Sequence, residues 1–248
     1  METLALVLIA FGGTLIQAGV GFGFALVFVP IAALVVPPRE AVAVSLLLGT
    51  VLASGMYLEH PARTSGRAIA PLVVGAVAGT PIGLVALLRA DETVLRFLVA
   101  STVLASALVT LATGHSRPHA ARPEPLLRQG LAGLLGGIIR GAVSMGGPPI
   151  VIYQHWIGGS AERIRNALTA YFFWLGIPAT LIALPTGVFT RDVVRTVAFA
   201  LPALVAGMAV GRYVRPRLPE AWFGAISMLV LAATAAVAAW GAAASLLG

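Results

Sequence analysis

An arginine, a serine and two glycines stand close together in an otherwise apolar stretch, at Arg140, Ser144, Gly146 and Gly147, directly before Pro148 and Pro149. Proline suits the first turn of a helix, and the glycines before it leave their backbone N–H groups uncommitted. Free amides at the positive end of a helix, with a guanidinium beside them, can hold a small oxyanion without any further side chain. Near the N-terminus, Gln17, Gly21 and Gly23 form a comparable group around Gly21-Phe22-Gly23-Phe24. These seven residues are the candidate substrate-binding set.

Each of these features also has a plainer reading. Arg140, at the end of a half-helix, can snorkel to a polar surface. Glycines 133, 137 and 141, and glycines 75, 79 and 83, recur every fourth residue, a spacing that more often means close helix packing than ligand contact. His155 beside Trp156 fits an interfacial aromatic belt as well as a proton relay. Tyr153, Gln154 and Asn166 can line a cavity or simply bond a neighbouring helix, and Arg163 and Arg165 read as cytoplasmic topology markers.

The acidic residues narrow the chemistry further. Glu2, Glu40, Glu59, Asp91, Glu92, Glu124, Glu162, Asp192 and Glu220 all fall at the ends of apolar segments or in loops. A cation carrier usually needs a carboxylate within the membrane, so the pattern argues against cationic substrates. Ser144 and His155 invite comparison with a serine hydrolase, but Gly141-Ala-Val-Ser-Met-Gly146 lacks the Gly-x-Ser-x-Gly spacing and no intramembrane acid supports it. No catalytic residue and no enzymatic activity are expected. With no cysteine and few histidines and methionines, neither a metal site nor a bound cofactor is expected.

The elements that must position these residues are membrane helices. The 248-residue chain is 59% hydrophobic and only 10% charged, with a mean hydropathy of +0.97, whereas soluble domains carry about 25% charged residues. All sixteen basic residues are arginines scattered through short loops, which marks topology and gives no nucleic-acid footprint. Met1-Glu-Thr-Leu has no basic region ahead of its apolar run, so the first segment is expected to stay in the mature protein.

Eight apolar segments run at about 3–36, 40–58, 68–88, 93–113, 126–157, 164–184, 191–211 and 221–247. Laid on the first half with a shift of 124 residues, the second half matches Gly12, Gly13, Ala18 and Gly23 to Gly136, Gly137, Ala142 and Gly147. The pattern indicates an internal duplication: an N-terminal repeat over 1–113, a polar linker over 114–128 and a C-terminal repeat over 129–248, forming one integral membrane unit.

Arginine distribution orients the repeats, because cytoplasmic loops carry the positive excess. Eight simple crossings split the loop arginines seven to eight, with no preference. If the broken first and fifth segments enter and return on the same side, the split becomes ten to five. Each half then crosses three times, so the repeats are inverted and both termini are periplasmic. The expected fold is therefore an all-α polytopic membrane protein of two inverted repeats, each a broken re-entrant hairpin plus three transmembrane helices. Interrupted helices in corresponding positions of inverted halves point to a transporter's substrate site.

The glycine-rich break followed by proline, present twice and reading Ser-Met-Gly-Gly-Pro-Pro-Ile-Val-Ile-Tyr over 144–153, resembles the sulfite exporter TauE/SafE family, also called the toluene-sulfonate uptake permease family. The N-terminal copy, Gly19 to Pro30, is looser, with phenylalanine inside its glycine run. The resemblance covers essentially the whole chain. It implies a secondary transporter of a small anion, sulfite or an organosulfonate such as sulfoacetate, in a bacterial inner membrane. Implied partners are that anion, the lipid bilayer and, as a candidate, a co-transported proton, with no nucleic acid; oligomeric state has no signal in the sequence. A passive anion channel and a non-transporting assembly or sensor protein are the alternatives the same residues leave open.

Overall fold

Glycine and proline chemistry, more than amphipathic patterning, divides this chain into helices. The computed structural model describes residues 2–59, 66–113, 125–158, 160–214, 233–237 and 240. Most of the expected linker (114–124) and most of the last apolar segment (221–247) lie outside the described residues. In chain order the helices are α1 (Glu2–Val20), α2 (Phe24–Ala32), α3 (Pro38–Glu59), α4 (Gly66–Arg89), α5 (Glu92–Thr113), α6 (Leu126–Val143), α7 (Gly147–Ile157), α8 (Ala161–Ala183) and α9 (Arg191–Val214). No strand occurs among the described residues. Four stretches, Pro38–Glu59, Gly66–Arg89, Glu162–Thr186 and Arg191–Val214, are long and apolar enough to cross a bilayer.

Both broken segments break where the sequence leads one to expect. Between α1 and α2 the chain turns through Gly21 (φ 92°) and Gly23 (φ 115°), conformations in which a β-carbon is strained. Between α6 and α7 the turning residue is Ser144, held at φ 64°, the non-glycine residue in left-handed backbone among those described. The α6–α7 segment folds back on itself, because the Arg128 guanidinium near its start lies 5.1 Å from the ring centre of Trp156 near its end. A straight helix of that length would separate the two by about 40 Å.

Glycine contacts set the helix partners. On α4 and α6, a β-carbon at Gly75, Gly79 or Gly83 would overlap the carbonyls of Gly130, Leu134 and Ile138, and one at Gly133, Gly137 or Gly141 would overlap those of Leu72, Ala76 and Thr80. The two backbones touch directly, as small-residue spacing in a membrane allows. The residue numbers of successive touching pairs rise together along both helices, so α4 and α6 run parallel. In the same way α9 lies parallel to α1, with Gly207 against Thr14 and Gly211 against Ala18.

Arginine ties fix the relative directions of the remaining helices. Arg39, at the start of α3, donates from Nε to Leu87 O (3.1 Å) in the last turn of α4 and from Nη2 to Ala90 O (3.0 Å) just past it; as α4 begins at Gly66, soon after α3 ends at Glu59, the two helices run antiparallel. Arg212 and Glu59 pair at 3.5 Å, joining the ends of α9 and α3. Since α1 follows α9 and α3 while α6 follows α4, the first arms of the two broken segments run in opposite directions. The pairings also correspond in kind: α1 on α9 answers α6 on α4, and α3 packs on α8 between them.

This packing makes a selective prediction. Gly137→Leu must force apart two backbones in contact and should lower stability by more than the ~1–3 kcal/mol typical of core overpacking. Gly130→Ala, whose added carbon meets nothing within 4 Å, should leave the melting temperature of the detergent-solubilised protein unchanged; equal effects of both would refute the assignment.

Candidate functional site

The two breaks meet at one pocket. It is small and partly open to the outside, and is lined from the first break by Gln17 and Phe22 to Leu26 and from the second by Arg140 and Ser144 to Gly147. Ser45 and Gly49 of α3 and Phe172 of α8 complete it. Six of the seven candidate binding residues therefore share one cavity. The seventh, Gly21, faces the stem of Arg165, which a β-carbon at Gly21 would overlap. Arg165, expected only as a topology marker, thus reaches the first break. Tyr153, His155 and Asn166 are not among the lining residues: Tyr153 is buried, and the other two are half-buried.

Each lining group is held by an identifiable cause. At the second break α6 ends with Ser144 N donating to Arg140 O at 2.7 Å, and α7 begins only at Gly147. Pro148 and Pro149 have no N–H to give. Among the described residues, no partner is found for the amides of Met145, Gly146 and Gly147, which leaves three consecutive donors at the positive end of α7. At the first break the amides of Phe22 and Gly23 are likewise unpartnered, whereas Phe24 N donates to Gln17 Oε1 at 3.1 Å. That bond fixes the orientation of the Gln17 amide, since a backbone donor must face its oxygen. Among the described residues, the Gln17 nitrogen is left with only the Met56 sulfur, 4.0 Å away, as acceptor.

Arg140 is the charged side chain among the lining residues, and it is only 3% exposed. Its Nη2 donates to Thr50 Oγ1 at 3.1 Å, while Nε has no partner among the described residues. Thr50 is itself fixed: it lies 2.8 Å from Leu46 O, and 3.1 Å from Thr180 Oγ1 across the α3–α8 crossing. A guanidinium carries five N–H donors, so the protein holds this one in place without satisfying it. Snorkelling is excluded by the burial. Ser144 Oγ and Ser45 Oγ lie 3.0 Å apart; one hydroxyl donates to the other, and the second hydroxyl's proton remains available to the cavity. The Tyr171 hydroxyl, fully buried beside Gly136 and within electrostatic reach of Arg140, also lacks a partner among the described residues.

The arrangement is a set of donors converging on a space lined by no acidic side chain. It can desolvate and hold an anion; it offers no nucleophile–base pair. The whole-chain pattern agrees with this chemistry, because residues 5–238 match the model of the sulfite exporter TauE/SafE family. The chain belongs to the sulfite exporter TauE/SafE family. Membership implies a multi-pass membrane transporter of sulfite or related anions. No curated protein and no solved structure matches the chain.

For this TauE/SafE protein, the side chains that local sequence reasoning did not single out are Ser45, Thr50 and Phe172. All three sit on unbroken helices, where the sole signal is a small hydroxyl or an aromatic ring in an apolar run. The unsatisfied guanidinium gives a sharp prediction for the ligand-free protein. An incompletely paired buried charge is often less stable than an apolar side chain of similar size. Arg140→Met should therefore hold or raise the melting temperature in anion-free buffer; a clear fall would mean that Arg140 serves the fold.

Proposed function

We propose that the chain is a secondary transporter that carries a small anion, sulfite or an organosulfonate, through the pocket between its two helix breaks. The observation that carries this reading is the buried Arg140, incompletely partnered among the described residues, beside three amides at the start of α7 that have no partner among them, with the start of α2 on the same cavity. Two independent features point to a ligand of one sign: the positive ends of helices and a guanidinium kept short of acceptors. The substrate set we assign is Arg140, Ser144, Gly146, Gly147, Gln17 and Gly23, with Gly21 acting as a turn residue.

The mechanism we infer is alternating access around a fixed central site, with two inverted repeats over 1–113 and 129–248 joined by the linker at 114–128. The opposite directions of α1 and α6 and the corresponding pairings α1 on α9 and α6 on α4 support that layout. Each repeat's broken helix packs against a helix of the other repeat. Rocking one repeat against the other therefore moves both breaks together. The arginine asymmetry supports a bacterial inner-membrane protein with both termini periplasmic.

The test is radiolabelled sulfite flux in proteoliposomes. We expect saturable uptake and stimulation by unlabelled anion on the opposite side. Arg140→Met should reduce flux at least tenfold, about what losing one charge-assisted contact costs. Linear, non-saturating flux would identify a channel, and undiminished flux in Arg140→Met would remove the residue from the site.

A further inference from the structure

One helix crossing ties the pocket to the way the two halves are docked, an inference that rests on the anion-site reading. We propose that Thr50 is a positioning residue for transport. From α3 it holds the Arg140 guanidinium, and it does so only while α3 is seated on α8, so the affinity of the site for its anion depends on that docking.

Thr50 does not line the cavity, and neither do Gly176 and Thr180. Its hydroxyl is spent on protein. A threonine hydroxyl has one proton and two lone pairs. The proton goes to Leu46 O, 2.8 Å away on the same helix, which leaves one lone pair for Arg140 Nη2 and one for Thr180 Oγ1, each at 3.1 Å. Bonded on three sides, the oxygen has a fixed direction. It imposes that direction on the guanidinium, for which it is the hydrogen-bond partner found among the described residues. A planar donor fork recognises an oxyanion well only when its N–H groups already point at the oxygens, so fixing it in advance raises affinity.

The contact with α8 depends on a glycine. Thr50 Oγ1 lies 3.4 Å from Gly176 O, and a β-carbon on Gly176 would stand 3.1 Å from Thr50 Cγ2 and 3.3 Å from Oγ1. Pro178 follows inside the same helix and has no N–H for the carbonyl of Trp174, so α8 lacks a backbone hydrogen bond beside the point where Thr50 meets it. In the layout proposed above, Thr50 belongs to the first repeat, and Arg140, Gly176 and Thr180 belong to the second. Ser45, also on α3, makes a second tie of this kind, with its Oγ 3.0 Å from Ser144 Oγ. Moving α3 away from α6 and α8 therefore removes the anchor of Arg140 and one hydroxyl of the cavity together. The site is complete in the docked arrangement and weaker in the separated one, and an anion that binds the first more tightly shifts the protein toward it.

Radiolabelled sulfite flux in proteoliposomes reads the half-saturation concentration and the maximal rate separately. Thr50→Val keeps the shape and removes the hydroxyl. It should raise the half-saturation concentration about tenfold, the worth of one hydrogen bond to a charged group, and change the maximal rate far less. Thr50→Ser keeps the oxygen and should stay close to the unaltered chain. Gly176→Ala touches neither the pocket nor Arg140, yet should raise the half-saturation concentration by pressing on Thr50 Cγ2. Adding Thr50→Ser, which deletes that methyl group, should reverse the effect. In an Arg140→Met background, Thr50→Val should add nothing. If Thr50→Val does not fold, Gly176→Ala and its reversal by Thr50→Ser decide the question alone. An unchanged half-saturation concentration in these variants, or a loss confined to the maximal rate, would overturn the inference; impaired flux in Arg140→Met would then leave the anion site standing. Undiminished flux in Arg140→Met, or no saturable flux in the unaltered chain, would defeat the anion-site reading and this inference together.

Discussion

A backbone amide inside a bilayer has no water to bond, so any helix that breaks there must be sheltered and its free groups given a use. The rest of this molecule follows from that constraint. Two helices break, at residues 21–23 and 144–146, and each exposes several N–H groups. The glycine contacts between α4 and α6, and between α1 and α9, bring neighbouring backbones close enough to exclude lipid from the first arm of each broken segment. Helix α3 then crosses α8 between the breaks and presents Ser45 and Thr50 to the second one. The packing shelters the broken backbone inside protein, and the pocket is the space that remains.

The same arrangement sets stability against binding. A guanidinium buried with one hydrogen bond, flanked by free amides and by a tyrosine hydroxyl without a partner, is a poor way to stabilise an empty protein. Each buried unsatisfied donor costs about 1–3 kcal/mol. On the proposed reading, an anion that accepts from several of them at once would offset those costs together, and its affinity would come from deficits already present in the fold. The two halves contribute unequally. At the second break the amides of residues 145–147 are open to a ligand, whereas at the first break Gln17 already caps Phe24 and withdraws one donor from the cavity. The asymmetry follows from the sequences, since only the second half carries the Gly-Gly-Pro-Pro run and an arginine four residues before its turn.

Much of this was legible in the sequence because glycine and proline act locally. The breaks, the family and six lining residues follow from where a helix cannot continue and where a charge would otherwise be stranded in hydrocarbon. The four-residue glycine spacing announces close packing, and the partner of each stripe depends on which backbones the whole fold brings together. Thr50 and Ser45 gave no signal of their own: a hydroxyl in an apolar helix can bond its own preceding turn, and Thr50 does so as well as holding Arg140. Gly21 reads in the sequence as a ligand-binding glycine, whereas the structure has it as a turn residue at positive φ packed against the stem of Arg165. His155, Asn166 and Tyr153 are polar groups beside the site in sequence, and helix geometry carries them off its wall.

The central claim is that an anion sits between the breaks, on Arg140 and the amides at the start of α7. Selenite, which replaces the sulfur of sulfite with a strong anomalous scatterer, tests it most directly when crystals of the full chain are grown with it. The account predicts one dominant selenium peak about 3–4 Å from the Arg140 guanidinium and the amides of residues 146 and 147, the reach of an oxyanion's hydrogen bonds. A dominant peak at the loop arginines, with the pocket empty, would contradict it.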